Sequence, residues 1–390
     1  MPARRRRSHE VVALGSSQGY STAMKVAIVG LGIAGLSICA RLALAGHDVS
    51  GFEQFELMHE NGSSHGDTRI MRLTPGEGEI YVRLARRANE IWRAWEGMAG
   101  HPLIEWTGGL MAGPRGSPFV AACQRLSRTP AALLRGDSMH ALSRGYLAMP
   151  YEWDVFRQED CGIIAADAAR GFLIRQAPKW GAKLFANTRI DAPIEGLSLR
   201  INGGTRGFDA VIVAAGGWAG TRLPEFAAHL SVRRRVLAWF STPEPRMLPV
   251  ICVDNDVGTF GMPAPRGLYK LGLHAIGEPV DPDHVRAPDQ ADAALLSEQA
   301  SLLLPKHDSK PVRMATCLYT VTQDENFLIA PSAVHARVLL FSACSGHGFK
   351  YAPVFGELAQ EWLDDKPSAE LEAFGQTRRT GVNRLGAAKT

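Results

Sequence analysis

One cysteine stands out in the stretch RMATCLYTVTQDENFLI, residues 313–329, where Cys317 precedes Tyr319 and the polar turn QDEN. It has no second cysteine at a spacing typical of a metal site or a local disulfide. The thiol could be a small buried hydrophobic group, a nucleophile, or the covalent anchor of a cofactor. These residues by themselves leave the three roles open.

Three glycines, Gly30, Gly32 and Gly35, form the pattern GxGxxG after the short apolar segment KVAIVG. The segment predicts a buried strand, followed by a helix and a second strand, DVSGFEQ. In such a unit the glycines permit a tight turn, the approach of a pyrophosphate and close helix packing. Glu53 ends the second strand and could accept hydrogen bonds from ribose hydroxyls. A dinucleotide site is therefore predicted, and the motif does not distinguish FAD from NAD.

Two arginines, Arg69 and Arg72, lie three residues apart in the polar stretch NGSSHGDTRIMR. On a helical turn they would share a face. Two guanidinium groups beside a dinucleotide could bind a carboxylate through paired hydrogen bonds. On these residues alone, a solvated or ion-paired surface turn is the favoured interpretation.

The chain contains 390 residues, of which 46 % are hydrophobic and 21 % charged, a balance typical of a globular protein of about two domains. Its formal net charge is +4, but segment 1–23 holds four arginines and one glutamate and so contributes +3. The remaining chain has no basic stripe, so no nucleic-acid partner is expected. No apolar stretch approaches the roughly 20 residues of a membrane helix, so no membrane partner is expected either.

The arginine run in segment 1–23 could belong to an export signal or to a nucleic-acid-binding arm. The apolar stretch after it, VVALG, is too short for a signal peptide, so we predict a disordered leader. The six cysteines form no CxxC pair, which predicts free thiols in a reducing compartment and a cytoplasmic protein. No metal ion is expected.

Helical and strand patterns alternate along the chain instead of dividing it into two simple halves. Helical spacing runs from Glu77 to Gly97, and alternating apolar residues between 230 and 275 predict an antiparallel sheet. We predict an α/β fold in which a Rossmann-like nucleotide-binding domain is interleaved with an α+β substrate domain. The predicted boundaries are 24–100, 155–225 and 315–370 for the first domain, 101–154 and 226–314 for the second, and 371–390 for a loose C-terminal tail.

Four stretches occur together in one order: GSSHGDTRIMR, RGLYKLGLHAIG, CLYTVTQDENFLI and CSGHGFKYAP. In their order and spacing, from about residue 25 to about residue 365, the sequence resembles the family of monomeric sarcosine oxidase and N-methyltryptophan oxidase. These are flavoprotein amine oxidases of the glycine/D-amino-acid oxidase superfamily. The resemblance implies FAD, attached by a thioether from Cys317 to the flavin 8α carbon. Because the thiolate is the reactive form, the site is expected to favour it.

The resemblance also implies roles for individual side chains. Arg72 and Lys350 would bind the substrate carboxylate, and Arg69 would lie closer to the flavin. Lys270 would activate oxygen, while two further residues, His274 and Tyr319, would line the substrate pocket. The remaining FAD contacts implied by the same motifs are Ser64, His65, Gly346 and Gly348.

Two positions depart from the family pattern. Thr259 stands where relatives that act on sarcosine carry a tyrosine, which predicts a roomier pocket and a bulkier substrate. Pro353 stands where relatives tend to have small polar residues, which predicts a changed loop over the flavin.

The implied reaction is oxidation of a secondary amine, either an N-methyl amino acid or a cyclic imino acid resembling pipecolate. Hydride would pass to FAD, oxygen would be reduced to hydrogen peroxide, and a linear imine would be hydrolysed. The expected partners are therefore a small amino acid and oxygen, acting on a monomer. Two alternatives stay open: an FAD dehydrogenase that does not use oxygen, and a flavin-binding protein without catalytic activity.

Overall fold

The computed structural model describes residues 23–127, 133–136, 138, 145–244, 248–308 and 310–375. The predicted leader falls almost wholly outside these residues. The strands in chain order are β1 (Lys25–Val29), β2 (Asp48–Phe52), β3 (Thr68–Arg72), β4 (Ile104–Glu105), β5 (Gly109–Gly113), β6 (Leu134–Arg135), β7 (Asp154–Gln158), β8 (Cys161–Ala165), β9 (Lys183–Phe185), β10 (Ser198–Ile201), β11 (Gly204–Gly207), β12 (Ala210–Val213), β13 (Ser231–Ser241), β14 (Val250–Val253), β15 (Thr259–Ala264), β16 (Leu268–Leu273), β17 (Arg313–Val321), β18 (Leu328–Pro331) and β19 (Val338–Ser342). The α-helices are α1 (Ile33–Leu44), α2 (Glu79–Ala99), α3 (Pro118–Leu126), α4 (Ala166–Gln176), α5 (Ala219–Arg222), α6 (Gln290–Leu303), α7 (Ala352–Leu363) and α8 (Ala369–Ala373).

A six-stranded sheet in the order β18-β19-β12-β1-β2-β9 forms the nucleotide-binding part. Its inner pairs are parallel, and only the edge strand β18 runs antiparallel to its neighbour. Strand β1 is a continuous apolar run because its side chains are buried on both faces of the sheet. The helix α1 connects β1 to β2 and is buried along most of its length. The predicted Rossmann-like unit is therefore confirmed.

An eight-stranded sheet in the order β17-β13-β16-β15-β14-β5-β7-β6 forms the second part, and all of its pairs except β14–β5 are antiparallel. Helix α6 packs on one face, where Leu296, Ala300 and Leu303 enter a hydrophobic core. The opposite face of β15 and β16 borders a large cavity. The predicted α/β architecture with an antiparallel substrate sheet is confirmed.

The sheets divide the chain slightly differently from the predicted boundaries. Strand β17, which carries Cys317, belongs to the large antiparallel sheet, although residues 315–370 were assigned to the nucleotide-binding part. Strand β7 joins the same sheet, whereas β4 pairs with β8 in a separate three-stranded sheet. An alternating apolar pattern predicts a strand but not the strand that it pairs with. Only the tertiary structure could therefore show which sheet β4, β7 and β17 join.

Two local predictions are wrong. Arg69 and Arg72 lie on β3, paired with β8, and not on a helical turn. The tail is still packed at its start, because Leu371 and Phe374 are buried against the first core. Residues 376–390 lie outside the described part of the chain.

Helix α2 has the predicted amphipathic pattern and spans 21 residues. Tyr81, Leu84 and Trp92 lie on its buried face, and Gly100 ends the helix in the left-handed conformation. Within the described residues, no helix combines the length and apolar character that a membrane span requires.

The N-terminus of α6 is tied to the large sheet by a buried charge. The side chain of Asp289 caps the helix by accepting a hydrogen bond from the Asp292 N–H, and the side chain of Asp292 accepts one from the Asp289 N–H. The Asp292 carboxylate also lies 2.6 Å from Nη2 of the buried Arg234 on β13. Burial alone would raise the pKa of Asp292, but Arg234 and the backbone N–H of Asp289 lower it to about 2. The charge therefore contributes to stability above about pH 4, and this contribution is lost as the pH falls towards 2.

We expect Asp292→Asn to lower the free energy of unfolding by about 2–3 kcal/mol at pH 7, because it removes the nearest counter-charge of the buried Arg234 guanidinium and leaves the half-exposed Glu278 at 3.7 Å. Urea unfolding at pH 7 and pH 3 measures this, and the difference from the parent protein should shrink at pH 3. Asp191→Asn, which breaks an exposed pair with Arg200, should cost about 0–1 kcal/mol and serves as the control. Equal losses for the two variants would contradict the prediction.

Candidate active site

A cavity of about 1460 Å³ lies between the two large sheets. It exceeds the roughly 300–1,000 Å³ of a drug-sized pocket, so it has room for a dinucleotide and a small substrate together. Two predicted residues, Gly35 and His65, lie behind its wall. The predicted residues that line it are Gly30, Gly32, Glu53, Ser64, Arg69, Arg72, Lys270, His274, Cys317, Tyr319, Gly346, Gly348 and Lys350.

One end of the cavity is the glycine turn between β1 and α1. Gly30 has a φ of +93°, and a Cβ atom there would lie 2.7 Å from the Ala214 carbonyl oxygen. A Cβ atom on Gly35 would lie 1.9 Å from the Gly30 carbonyl oxygen, so only glycine allows this helix to approach the strand. Ser64 Oγ accepts a hydrogen bond from the Ile33 N–H, at the start of α1, which borders the cavity.

Glu53 is fixed at the end of β2 by backbone hydrogen bonds. Its carboxylate accepts from the N–H groups of Leu31, at 2.8 Å, and Phe55, at 3.2 Å. His59 Nε2 lies 3.6 Å from Glu53 Oε1, the oxygen that also accepts from Phe55. His59 was not singled out from the sequence, because it is close to Glu53 only in the folded chain.

Arg72 is a buried cation in the wall of the cavity. Its Nε donates to Gln158 Oε1 at 3.3 Å and its Nη2 donates to Cys123 Sγ at 3.0 Å. The guanidinium carbon lies 5.7 Å from the centre of the Phe119 ring. These contacts orient the guanidinium while leaving Nη1 without a partner among the described residues.

Lys350 lies in a short 3₁₀ turn, Phe349–Tyr351, before helix α7. Its Nζ donates to the His347 carbonyl oxygen at 3.0 Å and lies 3.7 Å from Glu77 Oε1. Burial lowers the pKa of Lys350, and Glu77 opposes this effect. Pro353 stands in the first turn of α7, a position that proline tolerates, and not in a separate loop.

Glu77 is a functional candidate that sequence reasoning missed. Burial alone would raise its pKa, but Lys350, His347 and Arg72 lower it to about 2, so it is ionised at neutral pH. His347 has a pKa lowered by burial to about 4 and is neutral there. In sequence, Glu77 lies 273 residues from Lys350, and no local pattern links the two.

Lys270 is only 1 % exposed and lies on the cavity face of β16. Its Nζ donates to the carbonyl oxygens of Gly66, at 2.8 Å, and Thr68. Burial, reinforced by the charge of Arg69, holds its pKa well below the usual range for lysine. Arg69 itself donates to the carbonyl oxygens of Ser63, at 2.6 Å, and Thr68, at 2.9 Å.

Cys317 is buried in β17, with its side chain bordering the cavity. Burial raises the pKa of its thiol, and the charges of Arg69, Lys270 and Arg235 oppose that effect only in part. The surroundings that the protein supplies therefore favour the thiol form of Cys317, and the expectation that they favour the thiolate is wrong. All six cysteines are free, as the sequence predicts.

Tyr319, His274 and Gly346 meet at one point of the wall. The rings of His274 and Tyr319 are 5.6 Å apart, and burial lowers the pKa of His274 to about 4. His274 follows the end of β16 at Leu273, so it is not on the strand itself as predicted. Gly346 has a φ of +80°, and a Cβ atom there would lie 2.4 Å from Tyr319 and 2.6 Å from His274.

Thr259 borders the cavity, and the expectation that it enlarges the pocket stays a prediction. Its hydroxyl donates to Gln299 of α6 at 2.8 Å, and its strand partner Leu273 belongs to the core on that side. Successive strand residues face opposite sides, and the neighbouring Phe260 also lines the cavity. An aromatic ring therefore stands in the wall beside Thr259.

An apolar wall adjoins Arg72. Its residues line the cavity and pack in one hydrophobic cluster, and Arg72 contacts this cluster at Phe119 and Cys123. The apolar wall consists of Ile70, Phe119, Cys252, Phe260 and Met262.

The glycine turn on a parallel sheet, joined to an antiparallel sheet across one cavity, defines a two-part dinucleotide-binding oxidoreductase fold. Residues 25–362 match the family described as FAD dependent oxidoreductase (DAO), and the chain belongs to that family. The resemblance carried by the four sequence motifs is thereby confirmed.

Two curated relatives cover nearly the whole chain. Monomeric sarcosine oxidase of Bacillus sp. (strain B-0618) is 29 % identical over 385 residues, covering 92 % of this chain and 97 % of the relative. N-methyl-L-tryptophan oxidase of Yersinia pestis (strain Pestoides F) is 28 % identical over 368 residues, covering 90 % and 98 %.

Solved structures share the fold. The open form of NikD, an unusual amino acid oxidase essential for nikkomycin biosynthesis, has a TM-score of 0.78 at 23 % identity, covering 90 % of this chain and 97 % of that one. Glycine oxidase from Geobacillus kaustophilus has a TM-score of 0.76 at 20 % identity, covering 93 % and 100 %.

The residues present fit FAD. The glycine turn borders the cavity with Gly30 and Gly32, which have no side chains, and Glu53 offers its carboxylate at the adjoining strand end. The cavity continues from this turn to Cys317 and Lys270 on the large sheet.

We expect Gly346→Ala to lower both stability and FAD content, because the added carbon would force Tyr319 and His274 apart. Absorbance of the purified protein in the flavin band and urea unfolding measure the two effects. Gly100→Ala is the matched control, since Gly100 has a similar φ of +75° but no atom within 4 Å of an added Cβ. The control should show only the backbone cost of about 1–2 kcal/mol. Equal FAD content in both variants would contradict the prediction.

Proposed function

We propose that this enzyme oxidises a small α-amino acid whose nitrogen is a secondary amine, with oxygen as the electron acceptor. The observation that carries the proposal is the arrangement of the cavity: Arg72 and Lys350 border it beside the apolar wall, and Cys317 and Lys270 border it on the large sheet. When bound, FAD accepts a hydride from the substrate and delivers two electrons to oxygen. The relatives named for sarcosine and N-methyltryptophan oxidation support the same chemistry.

The substrate carboxylate would bind between Arg72 and Lys350. Nη1 of Arg72 and the ammonium of Lys350 supply charge-assisted hydrogen bonds. Holding the acid end in this way fixes the neighbouring C–N bond, and such positioning is worth about 7–11 kcal/mol of barrier in favourable cases. The amine must first lose its proton, and the surrounding cations disfavour a second positive charge there.

In the reaction the substrate loses a hydride from carbon and a proton from nitrogen and becomes an imine. Water then hydrolyses a linear imine to an aldehyde and an amine, whereas a cyclic imine would be released. Oxygen takes up two electrons and two protons and forms hydrogen peroxide. Lys270 would stabilise negative charge as it develops on oxygen, because its ammonium is fixed in a buried site.

The apolar wall supports a substrate with an apolar side chain or ring. Any group attached next to the bound carboxylate would lie against Phe119, Phe260 or their neighbours. A cyclic imino acid would place its methylene groups there, so the cyclic alternative fits the same wall. We infer that the protein works in a reducing compartment such as the cytoplasm, which its free cysteines suit.

A panel of N-methyl and cyclic amino acids tests the proposal. We expect peroxide release with N-methyl amino acids or with pipecolate-like acids that carry apolar groups, and much less with N-methylaspartate. Arg72→Lys should raise KM about tenfold or more, because lysine cannot replace the planar guanidinium. Reduction of the flavin without peroxide would instead favour an FAD dehydrogenase, and failure of every substrate to reduce it would contradict the proposal.

Covalent attachment through Cys317 is part of the proposal. Cys317 would lose its thiol proton and hold the flavin 8α carbon through a thioether, and this two-electron oxidation would use oxygen as the final acceptor, which becomes hydrogen peroxide. Mass spectrometry of the peptide that contains Cys317 should show added flavin. Cys317→Ser should lose this adduct while retaining the fold, and Cys344→Ser, which alters another cysteine that lines the cavity, should keep it. An unmodified Cys317 peptide in yellow protein would refute the attachment.

A further inference from the structure

Three side chains form a row across the large sheet beneath the cavity. Arg313 on β17 and Lys270 on β16 are both direct partners of Trp239 on β13. Directly opposed residues share one face of a sheet. The Arg313 guanidinium carbon lies 3.8 Å from the centre of the Trp239 ring, and Lys270 Nζ lies 5.7 Å from it. The row therefore connects an exposed arginine with a buried lysine.

A short loop, residues 66–68, closes over this row. The carbonyl oxygens of Gly66 and Thr68 accept the hydrogen bonds of Lys270 Nζ. Between them, Asp67 has a φ of +64°, and its carboxylate accepts a hydrogen bond from Arg313 Nη2. The row and the loop are thus joined at both ends.

The backbone of Asp67 is in a conformation that other residues rarely adopt. A non-glycine residue with left-handed φ costs about 1–2 kcal/mol, so contacts must hold it there. Its N–H donates to Asp167 at 3.2 Å, and its carbonyl oxygen accepts from the Ala166 N–H at 2.7 Å. The ion pair with Arg313 is the contact that its side chain contributes. Losing this pair would let Asp67 relax towards negative φ, which would turn the carbonyl groups on either side of it.

We propose that the Asp67–Arg313 ion pair positions Lys270 for the reaction with oxygen, by holding the carbonyl groups of Gly66 and Thr68 against its ammonium group. Asp67 and Arg313 are positioning residues, since neither borders the cavity. The inference rests on the oxygen role proposed for Lys270.

The surroundings of Lys270 explain why its carbonyl acceptors matter. The charged or titratable groups near it are Arg69, Asp67, Asp167, Cys317 and His65. Burial and Arg69 disfavour its charged form, whereas hydrogen bonds to the two carbonyl oxygens favour it. A loop that moves away would leave a buried lysine that is displaced or neutral, and such a lysine would stabilise charge on oxygen poorly.

The first test measures each half of the reaction on flavin-loaded protein. Arg313→Gln and Asp67→Asn should each slow reoxidation of the reduced enzyme by oxygen by about tenfold, while the rate of reduction by substrate stays unchanged. The double variant should be no slower than either single one, because both changes remove the same interaction. Arg313→Lys keeps the charge and should restore most of the rate. Arg200→Gln, which breaks another exposed Arg–Asp pair, is the control and should leave both rates unchanged.

The second test does not depend on turnover. Acetic anhydride modifies neutral, accessible amines, and peptide mass spectrometry reports the extent at each lysine. Modification of Lys270 should rise several-fold in Arg313→Gln and Asp67→Asn relative to the parent protein and to Arg200→Gln. Lys350 is also buried and serves as the internal reference, so its modification should stay constant.

Lys270→Met separates failure of this inference from failure of the proposed oxygen role. If Lys270→Met slows reoxidation but Arg313→Gln and Asp67→Asn do not, the ion pair has no positioning role. If Lys270→Met leaves reoxidation unchanged, the oxygen role of the lysine is itself wrong. A loss of both half-reactions in Arg313→Gln, with Lys270 no more reactive than in the parent protein, would show a structural role and overturn the inference.

Discussion

The convergence of positive side chains on one buried cavity is the constraint on which the site depends. Arg69, Arg72, Lys270 and Lys350 all border it, and a buried cation without acceptors is costly. Each of the four is bonded to acceptors supplied by the fold, mainly backbone carbonyl oxygens. Among the described residues, only Lys350 of these four cations has a carboxylate within 4 Å, that of Glu77 at 3.7 Å. The other three cations are held by neutral acceptors, which suits a carboxylate ligand.

The two large sheets meet at the same cavity, the parallel sheet with the carboxyl ends of its strands and the antiparallel sheet with one face. The parallel sheet contributes the glycine turn and Glu53, both at the carboxyl ends of its strands, where ligands bind in such folds. The antiparallel sheet contributes Lys270 and Cys317 on one face, while α6 covers the opposite face. When a sheet packs on a core with one face and borders a cavity with the other, only every second side chain of a strand points towards the cavity. This explains why Phe260 borders the substrate region although its neighbour Thr259 is bonded to Gln299.

The two relatives are 28–29 % identical to this chain over 90 % of its length or more. Glycines whose Cβ atoms would collide with backbone, such as Gly35 and Gly348, can hardly be replaced without moving an element. The side chains that face a substrate are less restricted, since they meet other side chains of the cluster and not the backbone of a neighbouring element. The family is therefore easier to recognise than the substrate.

The sequence by itself determined the β-α-β unit, the dinucleotide site, the amphipathic helix α2 and the family. These depend on local periodicity and on glycines at fixed spacing, which are readable within a few dozen residues. It also named thirteen site residues that line the cavity, because four motifs in one order are more specific than any of them alone. It did not resolve how Arg69 and Arg72 are presented, since strand and helix differ there by tertiary pairing with β8.

Only the tertiary structure decided which sheet holds Cys317, that the ring of Phe260 stands in the cavity wall, and that Glu77 lies beside Lys350. Each of these depends on contacts between residues far apart in the chain, and a shift of one residue reverses the face that a side chain occupies. The protonation states of buried groups also depend on contacts that only the tertiary structure shows. Burial raises the pKa of Cys317 and lowers that of Lys270, and neither burial nor the neighbouring charges can be read from composition or spacing.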